Sequence, residues 1–128
     1  DNMQILQASY DNANQKLTFI VSINNNVTFT TGDTVTLTLK DNTTNITVVN
    51  GVVKSYSTNP GDAGHISSGI SSGSKYQYTV VFAASGLSMM DNTNRYSGRL
   101  TLLDADGTAV TAAAGDTYVD NFTSLSIF

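Results

Sequence analysis

The chain contains no cysteine, no tryptophan and no glutamate, and its 128 residues include a single proline. Without cysteine the domain cannot form a disulfide, and zinc sites built on thiolates are excluded. All ten acidic residues are aspartates, which favour turns and caps, whereas helix surfaces favour glutamate. These absences argue against a helical protein and against a small secreted domain held together by disulfides.

Charge is scarce as well, because charged residues make up 12% of the chain, about half of the usual share. The formal net charge is −4, and the six basic residues are scattered rather than clustered. A nucleic-acid partner is therefore not supported, nor is binding to an anionic membrane surface. We also expect no membrane insertion, because no apolar run approaches the roughly 20 residues that span a bilayer.

What the chain has in abundance is an alternation of polar residues with β-branched, leucine or aromatic residues, as in Thr34–Lys40. Segments with this period of two recur between turn signals. They predict strands in Asn2–Tyr10, Lys16–Ile23, Thr34–Lys40, Asn45–Ser57, Lys75–Ala83, Arg95–Asp104, Thr108–Thr111 and Tyr118–Phe128. The expected fold is one all-β domain over residues 1–128, an antiparallel two-sheet β-sandwich of about seven to nine strands.

The same alternation predicts the core, because residues two apart on a strand face the same side. The inward set is Leu17, Phe19, Val21, Val35, Leu37, Leu39, Tyr78, Val80, Phe82, Leu100 and Leu102. The outward-facing side chains of Thr34–Lys40 are mainly threonine. Threonine is β-branched, which favours a strand, and its hydroxyl is soluble without a charge. Such a face fits a protein that packs beside many copies of itself or contacts sugars. A face that is merely solvated is the alternative.

Local signals predict how the strands connect. Asn50–Gly51 lies between two valine pairs and predicts a two-residue hairpin turn, since both residues tolerate positive φ. Ala105–Gly107 predicts a second hairpin turn, which leads into Thr108–Thr111. The Gly/Ser-rich stretch Asn59–Ser74 carries no periodic pattern, and a loop of this length in a compact domain is usually functional or disordered.

The stretch Tyr78–Asp104 resembles the E–F corner of an immunoglobulin-like (Ig-like) domain, with Leu87, Asp91 and Tyr96 in the corner positions. The resemblance implies an Ig-like sandwich in which Tyr96 is buried and its hydroxyl bonds to upstream backbone. Gly98 stands where antibody domains carry a cysteine. The likeness is therefore to cysteine-free bacterial and phage modules.

A second resemblance spans most of the chain and is carried by three segments, Lys16–Asp41, Arg95–Val110 and Phe122–Phe128. In these segments the chain is similar in outline to the Ig-like N-terminal domain of upper baseplate proteins of Gram-positive phages. It is equally similar to domains of Gram-positive surface adhesins. The resemblance implies an extracellular location, on a bacterial cell surface or a virion tail.

Catalysis is not expected. His65 is the single histidine, and no nucleophile elbow accompanies it, so a Ser-His-Asp triad has no support. Asp104 and Asp106 open like a calcium loop, but the residues after Gly107 offer none of the later oxygen ligands. We therefore predict a chain that is not an enzyme and that has no cofactor and no metal site.

The functional hypothesis is a non-enzymatic attachment or scaffolding module of a Gram-positive surface protein or of a phage tail or baseplate. Its partner would be a cell-surface or cell-wall glycan, or neighbouring subunits in a multi-copy assembly. The alternative is a carbohydrate-binding module that uses its loops, with or without calcium. Binding is expected in the loops Asn24–Thr31 and Asn59–Ser74, because the strand faces are uniform. The candidate binding residues are Asn24, Asn25, Asn26, Tyr56, Asp62, His65 and Tyr118, and of the tyrosines we expect Tyr10, Tyr56 and Tyr118 to be exposed.

Overall fold

The computed structural model describes residues 1–83, 87, 90–105 and 116–128. Its strands are β1 (Met3–Asp11), β2 (Lys16–Ile23), β3 (Thr34–Asp41), β4 (Thr47–Ser55), β5 (Ile70–Ser72), β6 (Lys75–Ala83), β7 (Arg95–Asp104) and β8 (Asp116–Ser126). No helix in this part of the chain is long and apolar enough to cross a bilayer. The predicted strand Thr108–Thr111 and most of the turn before it lie outside the described residues.

The strands form two four-stranded antiparallel sheets. The first has the order β1-β2-β6-β5 and the second the order β4-β3-β7-β8. In the lettering of the immunoglobulin sandwich these orders are A-B-E-D and C′-C-F-G, that is, seven strands with one added beside strand C. The predicted fold class, an antiparallel two-sheet β-sandwich, is confirmed.

The predicted core is confirmed in full, since each of the eleven side chains is at most 1% exposed. They lie between the two sheets, with Phe19 and Val80 paired across β2 and β6, and Leu37 and Leu100 paired across β3 and β7. A slip of one residue would turn every one of these side chains to solvent. The hydrophobic pattern therefore fixes the register of all four central strands.

The predicted hairpin turn at Asn50–Gly51 is wrong, because β4 runs straight through it. Leu37 pairs with Val52 and Leu39 with Val49, so two residues of β4 face Thr38 alone. This is a β-bulge, and Gly51 adopts the positive φ of 64° that a bulge of this kind uses. The Thr38 hydroxyl accepts a hydrogen bond from the Gly51 amide at 3.1 Å, so the threonine face also holds the bulge.

The Gly/Ser-rich stretch is not a loop without structure. Ile66 is buried and bridges to Val80, and the Gly64 amide donates to the Val81 carbonyl at 2.8 Å. Further along, β5 pairs with the start of β6. The stretch follows the outer edge of the first sheet by backbone hydrogen bonds, which need no apolar alternation. That is why its sequence does not look like a strand.

The sandwich is closed along one side and open along the other. On the closed side β1 lies beside β8: the Asp120 carboxylate accepts the Ile5 amide at 2.7 Å, and the Phe128 amide donates to the Ala8 carbonyl at 3.0 Å. The opposite side ends in β5 and β4, each with one neighbouring strand in the described part of the chain. Ile70 and Val53, on these two edge strands, are 69% and 55% exposed.

Replacing Leu37 with alanine should lower the free energy of unfolding by about 2–5 kcal/mol, because a leucine buried between sheets leaves a cavity. The matched control is Thr36→Ala, one residue earlier on the outer face, which should cost well under half as much. Urea denaturation monitored by tyrosine fluorescence measures both. Equal effects of the two substitutions would contradict the assigned faces of β3.

Candidate functional site

The two loops singled out in the sequence come together at one end of the sandwich. The segment after β2 and the segment between β4 and β5 line one depression of about 310 Å³. We call it the loop notch; its lining residues are Asn26, Val27, Thr28, Phe29, Tyr56, Ile66, Ser67, Ser68 and Gly69. Of the candidate binding residues, Asn26 and Tyr56 are brought together here.

The buried phenol of Tyr78 fixes the loop after β2 by hydrogen bonds. The Tyr78 hydroxyl accepts a hydrogen bond from the Val27 amide at 2.6 Å and donates one to the Asn25 carbonyl at 2.8 Å. Desolvation raises the pKa of Tyr78 above its ordinary value, so the phenol stays protonated and can donate. The edge of the Phe29 ring meets Tyr78 with centroids 5.6 Å apart. A strand of the rigid sandwich thus sets the path of the loop.

Gly69 sets how closely the second loop approaches the first. A Cβ at this position would stand 2.8 Å from the Tyr78 hydroxyl oxygen and 3.0 Å from the Asn26 side-chain oxygen. Neither distance leaves room for a methyl group without movement of one of the loops. Gly69 therefore packs closely against both Tyr78 and Asn26 where it lines the loop notch.

The loop notch is polar but uncharged. Among the described residues that line it, none carries a charge. Asn26 and Ser68 are exposed, the Tyr56 ring and Ser67 are half-buried, and Ile66 is buried. An arrangement of amide and hydroxyl groups around a partly apolar surface can bind an uncharged ligand that has hydroxyl groups and an apolar face.

The side chains of Asp62 and His65 bond to residues of their own turn, Asp62 to two side chains and His65 to a backbone carbonyl. The Asp62 carboxylate accepts from the Asn59 amide group at 3.1 Å and lies 3.4 Å from the Ser57 hydroxyl. The His65 Nδ1 is 2.9 Å from the Ser57 carbonyl oxygen, and its ring lies 6.3 Å from the Tyr56 ring. Both side chains therefore shape the turn that carries Tyr56.

The expected exposure of Tyr118 is wrong, since this side chain is 3% exposed. It faces inward on β8 because it pairs with the buried Leu102 of β7 on the core side of the sheet, and its ring meets Phe29 edge-on at 6.5 Å. Its hydroxyl reaches the Asn25 side-chain amide at 3.4 Å. Asn24 lines a separate depression of about 190 Å³ on the side of β1.

The tyrosine corner lies at the opposite end of the sandwich. Tyr96 and Leu87 are fully buried. The Tyr96 hydroxyl accepts from the Asp91 amide at 2.8 Å and donates to the Asp91 carbonyl at 3.1 Å, which is the contact expected from the resemblance. Desolvation raises the pKa of Tyr96, as it does that of Tyr78. Two buried phenols thus hold one loop at each end, by the same pair of bonds.

Sequence reasoning missed Asp41, the buried carboxylate beside this corner. Burial alone would raise the pKa of Asp41, but hydrogen bonds from Asn94 and from the Thr43 and Thr44 amides outweigh it and hold the pKa below its ordinary value. The available signal was the dipeptide Asp-Asn, which occurs at Asp1, Asp11, Asp41, Asp91 and Asp120. At Asp11, Asp41 and Asp91 the Asp Oδ1 accepts the amide two residues on, at 2.8–3.0 Å, the bond of an Asx turn.

Asp104 is buried at the end of β7, and Asp106 lies outside the described residues. Within the described ranges, no group of three or more histidines, cysteines or acidic residues is arranged to hold a metal ion. Asp91 precedes β7 and Asp104 ends it, so the ten-residue strand keeps the two carboxylates apart.

No family model matches this chain, and neither a curated protein nor a solved structure is significantly similar to it. The class is therefore given by the strand order, which is that of an all-β, antiparallel two-sheet sandwich.

Tyr78→Phe and Tyr96→Phe form a matched pair, since each keeps the ring and removes one hydroxyl that satisfies a loop amide. Tyr78→Phe should lower the free energy of unfolding by about 1–3 kcal/mol, because the buried Val27 amide loses its acceptor, and Tyr96→Phe should lower it by less, because the Asp91 amide is only partly buried. Amide ¹H–¹⁵N spectra should separate them: Tyr78→Phe should shift residues 25–29 and 66–69, and Tyr96→Phe residues 90–94. Shifts spread evenly over both ends in either variant would contradict the local role of each hydroxyl.

Proposed function

We propose that the chain is a non-enzymatic extracellular attachment module that binds a carbohydrate through the loop notch. The observation that supports this most is the convergence of two separate loops on one concave, uncharged surface that contains Tyr56 and Asn26. A module used purely for scaffolding needs only a flat face or a strand edge. A glycan binder needs this kind of concave patch with hydrogen-bonding side chains.

The chemistry of the lining favours a neutral sugar. A pyranose has an apolar face of C–H groups, which packs on an aromatic ring such as Tyr56. Its hydroxyls can both donate and accept, as Asn26, Ser67 and Ser68 can. An acidic sugar would have to leave its carboxylate without a cationic partner, in a protein whose formal net charge is already −4.

The affinity of one copy should be low. The loop notch offers one aromatic side chain at its rim and lacks the tryptophan or arginine anchors that dominate tight interfaces. A dissociation constant on the order of 10 μM to 1 mM becomes effective when many copies act together. The neutral threonine face suits such dense display, and the cysteine-free composition supports a bacterial cell surface or a virion tail as the location.

A second candidate function is scaffolding in a multi-copy assembly, favoured by the open side of the sandwich. Ile70 and Val53 are exposed on the two edge strands there, and exposed apolar edges invite pairing with another chain. The bulge at Gly51 makes the edge of β4 irregular, whereas no bulge falls in the pairing of β5 with β6. Sedimentation of the protein and of Ile70→Asp at increasing concentration tests this function. Concentration-dependent self-association that the substitution abolishes would support it.

The carbohydrate proposal predicts millimolar-to-micromolar binding of neutral cell-wall saccharides by the monomer, and stronger binding by a multivalent display. Asn26→Ala should weaken binding about tenfold, because the amide is at the rim of the loop notch. Asn24→Ala is the matched control, an exposed asparagine two residues away that lines a different depression, and should leave binding unchanged. Titration calorimetry and a glycan array measure these effects.

Binding by neither the monomer nor the display would refute the carbohydrate proposal and leave scaffolding as the function. Equal losses for both asparagine variants would place the contact outside the loop notch. Submicromolar binding by the monomer would contradict the argument from avidity.

A further inference from the structure

A larger depression lies at the other end of the sandwich, and none of the candidate binding residues lines it. It has a volume of about 510 Å³, within the range of about 300–1,000 Å³ typical of ligand sites. We call it the corner depression, because the tyrosine corner borders it. It lies where the turn between β1 and β2, the connection from β6 to β7 and the segment after β8 meet. The lining residues that matter here are Tyr10, Asn12, Met90, Asp91, Asn92 and Phe128.

Each wall of the corner depression is tied to the sandwich by hydrogen bonds. The Tyr96 hydroxyl holds both backbone groups of Asp91, as described above. The Tyr10 amide donates to the Phe128 carbonyl at 2.6 Å, which fixes the aromatic wall. The Asp11 carboxylate accepts the Ala13 amide at 3.0 Å and so holds the turn that carries Asn12. A site whose walls are fixed in advance loses little entropy when a ligand binds.

Two kinds of chemical group line the corner depression. Tyr10, Phe128 and Met90 supply aromatic and apolar surface, and Phe128 is 71% exposed. Asn12, Asp91 and Asn92 supply amide and carboxylate groups. No lysine or arginine is present among the described residues that line it.

The one carboxylate in this set is Asp91. The Thr93 hydroxyl and amide bond to its Oδ1 and hold the pKa of the Asp91 carboxyl below its ordinary value, so it is an ionised acceptor near neutral pH. An acceptor of this kind favours a ligand that donates hydrogen bonds and repels one that carries its own negative charge.

We propose that the corner depression is a second ligand site, which binds a saccharide without acidic groups by stacking it on Tyr10 and Phe128 and accepting its hydroxyl hydrogens at Asp91. A saccharide matches both kinds of group, since its C–H face packs on aromatic rings and its hydroxyls donate to carboxylate and amide oxygens. The site lies at the end of the sandwich away from the loop notch and does not depend on it. One domain could then contact two sugar units at once.

The test is a ¹H–¹⁵N titration with three probes of similar size: N-acetylglucosamine, glucosamine and glucuronic acid. The neutral and the amino sugar should shift the amides of residues 10–12, 90–92 and 128, and glucuronic acid should not. Shifts confined to residues 26–29 and 66–69 would overturn the second site while supporting the loop notch. Shifts at the corner depression alone would support the second site and overturn binding at the loop notch. The failure of one proposal can therefore be distinguished from the failure of the other.

Two variants make the assignment specific. Asp91→Asn removes the charge, leaves the backbone bonds to Tyr96 in place, and should weaken glucosamine binding about tenfold. Tyr10→Ala removes the stacking surface and should weaken both sugars about tenfold. Asn26→Ala, at the loop notch, is the control and should leave the shifts at residues 90–92 unchanged. Unaltered affinity in both Asp91→Asn and Tyr10→Ala would refute the proposal.

Discussion

The structure depends on a pair of hydrogen bonds made by a buried tyrosine hydroxyl. The hydroxyl accepts one bond from a loop amide and donates the other to a loop carbonyl. Tyr78 does this for the loop after β2, and Tyr96 for the connection before β7. A chain without disulfides and with few charges has few other means to fix long loops on a sandwich. Both depressions border a loop held in this way, so their shape follows from two phenols in the core.

Side-chain hydrogen bonds also explain how the fold is held together with so few charged residues. Neutral or short polar groups take over tasks for which other proteins use ion pairs: the Thr38 hydroxyl holds a bulge, and Asp-Asn dipeptides close turns. The bond to the neutral Thr38 hydroxyl does not depend on salt, whereas exposed ion pairs are screened. The surface that remains carries few charged side chains.

The sequence predicts those features that depend on residues close together in the chain. Alternation located the eleven core residues, and the spacing of Asp91 and Tyr96 located the corner. The pattern at Asn50–Gly51 correctly marks a positive φ, but turns and bulges both use one, and only the pairing partner of the flanking valines distinguishes them. The Tyr78 bond was out of reach, because its partner Val27 lies 51 residues away.

The central claim is that the hydroxyls of Tyr78 and Tyr96 protect the loop amides bonded to them as strongly as strand pairing protects strand amides. Amide hydrogen exchange tests this claim most directly. The account predicts that Val27 and Asp91, which lie outside the strands, exchange as slowly as amides in β2 and β7. Their protection should fall selectively in Tyr78→Phe and Tyr96→Phe respectively. Exchange of Val27 and Asp91 at the rate of an unstructured chain, in the unaltered protein, would contradict the account.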